Sequence, residues 1–156
     1  MTTSTPTSDR LQVGADELVI RVSSADTGGA LCAAEVRMAP GGGPPLLHRH
    51  APSELYHVIE GEFAFYIADD TGRVHRTTAA AGAVVPIRGG RPHTIRNESG
   101  APARALAVHA PGDAIEGFAR AAAALAQAGT ATVAAVLELA ERHDIEMIGP
   151  IPHGLE

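Results

Sequence analysis

GGPPLLHRHAPSELYHVIEG, residues Gly42–Gly61, is the stretch from which the rest of the chain is read. It holds two histidines at spacing two, His48 and His50, so on a β-strand both side chains leave the same face. Glu54 follows four residues later. Imidazole nitrogens and a carboxylate oxygen converging in this way are the donors a transition metal takes.

The second half of the stretch alternates. Glu60–Gly61 lies between ELYHVI and EFAFYIA, as the loop of a two-residue hairpin would. The expected cross-strand pairs are Val58 with Phe63, Tyr56 with Phe65 and Glu54 with Ile67. The face carrying Glu54 would then carry Tyr56, Val58, Phe63 and Phe65, an apolar pocket around a carboxylate and the expected substrate-binding set. The opposite face, with Leu55, His57, Ile59, Ala64 and Tyr66, would pack on a second sheet or another subunit.

A further donor comes from outside the stretch. His93, in PIRGGRPHTIRN, opens another strand after a Gly/Pro turn. With His48, His50 and Glu54 it makes three imidazoles and one carboxylate, which leaves two positions open on an octahedral ion. The expected cofactor is one divalent transition metal ion per chain, with Fe, Ni, Mn, Co, Cu and Zn all compatible. Glu54 is both a ligand and a candidate catalytic base, because a carboxylate in a dry pocket can take a substrate proton. His57, His75, His109, His143 and His153 are read as structural, with His109, near the last barrel strand, a weak candidate for a group behind the ligands. Arg88 and Arg91 read first as a solvated loop and second as a means of steering an anion.

The bulk properties narrow the class. A chain of 156 residues with 45% hydrophobic content suits one domain with a real core. The formal net charge is −6, and all 12 basic residues are Arg, without a cluster to track a phosphate backbone; no nucleic-acid partner is expected. The lone cysteine, Cys32, sits in an apolar run and reads as a small core residue. Neither a signal peptide nor a membrane span is expected, and the location expected is cytoplasmic.

Along the chain, short apolar runs recur from Leu18 to Ala110 between turn signals, the pattern of an antiparallel sandwich or barrel. Ala- and Leu-rich segments follow, Asp113–Ala128 and Thr130–Asp144. They predict two helices, the first opened by a capping box of Asp113 and Glu116. Apolar stripes run through Ile115, Phe118, Ala122 and Leu125, and through Val133, Val136, Leu137 and Ala140. The expected organisation is a flexible N-terminus over 1–14, a barrel over 15–112 and a C-terminal helical extension over 113–156.

Two motifs carry a family resemblance. Gly42, His48, His50, Glu54 and Gly61 match the first motif of the cupin superfamily without gaps. Gly82, Gly90, His93 and Asn97 match the second, except that Arg88 stands at its proline position and Pro86 lies two residues earlier. The chain therefore resembles a small single-domain metal-binding cupin, all-β with C-terminal helices. The resemblance implies a double-stranded β-helix, the jelly-roll barrel, of six to eight strands with the metal inside. The segment from HAPGDAIEGFAR to the end resembles small bacterial quercetin dioxygenase-like cupins. That implies a metal-dependent dioxygenase acting on a small enol- or carbonyl-containing substrate. The alternatives are a non-oxidative polyketide cyclase or isomerase, and a small-molecule-binding cupin without catalysis. Similar barrels commonly form a homodimer, and one is expected here.

Overall fold

An alternating strand buries only one face, so such strands pair into sheets and the sheets stack. The computed structural model describes residues 9–155 and shows this done twice. The strands are β1 (Arg10–Val13), β2 (Asp16–Val22), β3 (Cys32–Met38), β4 (Leu46–Arg49), β5 (Ser53–Glu60), β6 (Glu62–Ala68), β7 (Val74–Ala80), β8 (Val84–Ile87), β9 (His93–Arg96), β10 (Ala103–Ala110) and β11 (Glu146–Pro150). Two helices, α1 (Asp113–Gln127) and α2 (Val133–Arg142), stand between β10 and β11. One sheet has the order β1-β2-β3-β10-β5-β8, the other β11-β4-β9-β6-β7. This is the expected jelly roll, with β1, β2 and β11 added to the eight strands β3 to β10.

The predicted hairpin does not form. β5 pairs with β10 and β8, whereas β6 pairs with β9 and β7 in the other sheet. Glu60–Gly61 is a crossing between sheets. Gly61 has φ +75°, and a Cβ there would lie 2.8 Å from the Pro102 carbonyl oxygen, so both conformation and space favour glycine. The faces nevertheless come out as read. Glu54, Tyr56 and Val58 point inward from one sheet, and Phe63 and Phe65 are buried from the other. They meet across the barrel instead of along a ladder. Val36, Met38, Ile87 and Ile95 join Tyr56, Val58, Phe63 and Phe65 in the main core.

The outward faces of β5 and β6 differ. Leu55 and Ile59 are exposed on β5. Ala64 and Tyr66 on β6 are buried, packed with Leu47 against Val74, Ile151 and Leu155. The chain's last segment thus covers the outer face of the five-stranded sheet, and β11 pairs with β4.

The termini and helices also depart from expectation. Arg10–Val13 is a strand paired with β2, so order begins before residue 15; residues 1–8 lie outside the described residues. α1 starts at the expected place, but Gly112 is its N-cap and no side chain caps it. Glu116 instead accepts from Ser23 Oγ at 2.8 Å and from Ser24 N at 2.6 Å, tying the helix to the loop after β2. A carboxylate with a better partner across the fold does not close a local box. In α2, Leu139 and Ala140 are buried while Val133 and Leu137 are exposed, so only part of the predicted stripe faces the protein. No helix among the described residues is long and apolar enough to cross a membrane.

Candidate metal centre

The first two histidines stand where β4 ends. His48 is on the strand and His50 follows it. His48 is the direct cross-strand partner of His93 on β9, and their ring centroids are 4.5 Å apart. The His50 ring stands edge-on to His93 at 5.1 Å. One donor atom from each of the three lies within 4.8 Å of the others. Glu54 enters from the opposite sheet, at the start of β5.

Backbone carbonyls orient the rings. Nδ1 of His48 faces the Leu46 carbonyl at 3.3 Å, that of His50 the Pro52 carbonyl at 3.0 Å, and that of His93 the Arg91 carbonyl at 2.8 Å. A carbonyl only accepts, so each Nδ1 carries the proton and each Nε2 presents a lone pair inward. Two loops are strapped together beside them: Gly89 N donates to Ser53 Oγ, and Gly90 N to the His50 carbonyl. Asn97 is fully buried. Its Nδ2 donates to the Met38 and Ala101 carbonyls, and its Oδ1 accepts from Ser99, closing the turn beyond β9. Pro86, the residue displaced from the family pattern, lies on the sheet-edge strand β8, where a missing N–H is tolerated.

The fifth group, His109, was ranked too low in the sequence reading, as structural first and a group behind the ligands second. His109 Nε2 lies 2.7 Å from Glu54 Oε2, and with His50 and Glu54 it forms a second cluster of metal-type donors. His50 Nε2 is 3.2 Å from the same oxygen. A signal was available: Ala103, Ala105, Ala107 and His109 share one parity in ARALAVHA, and the first three are small core residues. His109 is thus in the inward register.

The remaining polar atoms fit a cation. Glu54 Oε1 and His93 Nε2 approach to 2.9 Å, yet neither has a hydrogen-bond partner. Two buried acceptors aimed at one point are costly unless a positive centre sits between them. A divalent transition ion meets this requirement, and His48, His50, His93 and Glu54 are the residues that could hold it. Electrostatics agree. Burial, and then the neighbouring His93, pull the His48 pKa down to about 4, so its ring is neutral near pH 7. Burial works to raise Glu54, but His109, His50 and His93 more than offset it and hold the carboxyl well below its usual range. Burial also lowers His93, and Glu54 beside it reverses the direction, for a net rise.

The apolar residues named from the sequence lie beneath this centre. Tyr56 is nearest, its ring 6.4 Å from His109 and 5.6 Å from Phe65. Burial and the Glu54 charge push its hydroxyl well above the usual pKa. Val58, Phe63 and Phe65 have no exposed surface and form the floor. Cys32 is buried, and burial followed by Glu116 pushes its thiol up to about 12, in line with a core role.

Comparison with known proteins agrees with this architecture. Residues 34–109 match the family described as the cupin domain. No curated protein matches the chain. Among solved structures, a variant of the Bacillus subtilis oxalate decarboxylase superposes with a TM-score of 0.62 at 20% identity, covering 97% of this chain and 42% of the other. Another structure of that decarboxylase, described by its Mn(II) centres, gives 0.57 at 22% identity over 65% and 26%. A sugar phosphate isomerase of the cupin superfamily from Silicibacter pomeroyi gives 0.50 at 24% identity over 63% and 60%. Drosophila melanogaster CENP-C bound to CAL1 gives 0.55 at 13% identity over 65% and 80%. The chain spans less than half the length of the decarboxylase. At these identities the likeness is one of fold. With the two motifs in place on the two sheets, residues 34–109 form a cupin domain.

Proposed function

We propose that the chain is a metal-dependent enzyme acting on a small enol- or carbonyl-containing organic substrate, in the manner of a quercetinase-like dioxygenase. The observation that carries the reading is the convergence of the Nε2 lone pairs with the unpartnered Glu54 Oε1. A divalent ion held there supplies a Lewis acid for an enolate oxygen and, if redox-active, access to dioxygen chemistry.

The chain's own residues do the rest. Glu54, buried beside the histidine donors, would accept the hydroxyl proton of a chelating enol through Oε1. His109 Nε2 holds Oε2, so the carboxylate keeps one orientation while Oε1 works. Tyr56, above the floor of Val58, Phe63 and Phe65, gives the substrate an apolar wall and keeps bulk water from the carboxylate. The experiment is oxygen uptake by protein loaded with iron, nickel, manganese, cobalt or copper, offered flavonols and smaller chelating enols. Uptake with any of these metals supports the reading, and none with all five sinks it.

A second reading keeps the same residues without dioxygen. The paired contact of Glu54 with His109 gives a proton acceptor with a partner behind it, which suits a cyclase or isomerase that enolises its substrate. Turnover in the absence of oxygen, with zinc as effective as a redox metal, identifies that case. Tight binding with no product under either atmosphere identifies a binding protein.

A further inference from the structure

Two rows of cross-strand neighbours run through the centre, one on each sheet. In the first, His48 pairs with His93, His93 with Ile67, and Ile67 with His75. In the second, Cys32 pairs with His109, His109 with Glu54, and Glu54 with Ile87. Directly paired residues share a face, so both rows look into the barrel. Beyond the donors, each row continues with one isoleucine, Ile67 or Ile87, toward the edge strands β7 and β8. A cleft of about 400 Å³ opens at this edge, lined by both isoleucines with Ala68, His75, Pro86 and Arg88, and by Asp69 and Arg91.

The charges in the cleft are unequal in their engagement. Asp69 accepts from Thr71, from Arg73 N and from His75. Arg91 donates to the Ala68 carbonyl and to Asp70. Arg88 is exposed, and its guanidinium has no hydrogen-bond or ion-pair partner among the described residues. A guanidinium without a partner beside an apolar wall is the pairing that recognises a carboxylate on a small hydrophobic body.

We infer that the cleft between β7 and β8 is the substrate's recognition site, and that it takes a small organic acid. The acid's carboxylate pairs with Arg88, and its body lies against Ile67 and Ile87. Its far end then points along the two rows toward Glu54 and His93. The inference rests on the metal-centre reading only for what happens at that far end; recognition by Arg88 does not need the ion.

The test uses salicylate and its neutral counterpart salicylamide as probes, in calorimetric titrations of the metal-free and the zinc-loaded protein. Salicylate should bind both forms, and more tightly than salicylamide. Arg88→Gln should weaken salicylate about ten-fold, the usual worth of one charge-assisted pair, and leave salicylamide unchanged. Arg88→Lys should restore part of the loss. Arg142→Gln, on the exposed side of α2, should change nothing. Equal affinity for the two probes, no binding at millimolar salicylate, or an unaltered Arg88→Gln protein overturns the inference. Elemental analysis of the same samples judges the metal centre separately. Zinc uptake without Arg88-dependent binding fails the cleft alone, and Arg88-dependent binding without zinc uptake fails the centre alone.

Discussion

His109 and Glu54 are direct cross-strand partners on β10 and β5, with Nε2 of one 2.7 Å from Oε2 of the other. The contact ties the last barrel strand to the carboxylate of the centre. It divides Glu54 into one oxygen held by the protein and one oxygen free of it.

Replacing His109 by Phe should therefore strand a buried carboxylate. The expected cost to the metal-free protein is about 2–4 kcal/mol in chemical denaturation, in the range for breaking a buried charged pair. The zinc-loaded protein should lose less, because the ion partners the same carboxylate. An equal loss in both forms would remove the link between His109 and the centre.

His48→Ala, His50→Ala and His93→Ala should each lower the metal content of purified protein severely. A ligand that binds only the native state stabilises it by mass action, by about 4 kcal/mol at a thousand times Kd. Chelation should accordingly lower the Tm of the wild-type protein and leave those variants where they already are. Scanning calorimetry with and without a chelator reads both effects.

Acid should unfold the chain through two carboxylates that are not among the metal-type donors. Glu35 is buried between Arg21, Arg37 and Arg104, and Arg21 leads in lowering its pKa to about 2. For Glu116, burial acts upward, but Ser23, Ser24 and Arg120 outweigh it and its pKa also falls to about 2. Both folded values lie below the ordinary 4.5. Their stabilisation is therefore full above pH 4.5 and is lost as pH falls toward 2, up to roughly 3 kcal/mol for each. Glu35→Gln and Glu116→Gln should flatten the stability–pH curve in that window and leave its shape above pH 6 unchanged.

The outer face of the six-stranded sheet exposes Leu55, Ile59 and Val84, with Leu55 opposite both Val108 and Pro86. We propose that the homodimer expected from the sequence forms here, since an apolar patch on a sheet face favours burial against a second copy. Sedimentation should show a dimer that Val84→Arg, at a position 57% exposed, converts to a folded monomer. A wild-type monomer at micromolar concentration would discard the proposal.

Much of the site was legible because its signals are local. The spacing of His48 and His50 puts both rings on one face whatever the strand pairs with. Parity sorts Glu54, Tyr56 and Val58 from Leu55, His57 and Ile59, and the burial pattern of β5 follows it. His93 stood out because a Gly/Pro turn precedes it. The capping box failed for the opposite reason: Asp113 and Glu116 have the right local spacing, but Ser23 and Ser24, more than 90 residues away, hold Glu116.

By itself the sequence determined the barrel class, the donor types and the side of each strand on which they stand, since strand periodicity and motif spacing are properties of neighbouring residues. Tertiary structure alone decided which strands lie side by side. An alternating run names its inward face but not its partner, and β5 chose β10 and β8 over the adjacent β6. That long-range choice set His109 against Glu54. It also aligned His93 with Ile67 and Glu54 with Ile87, and opened the cleft beside Arg88.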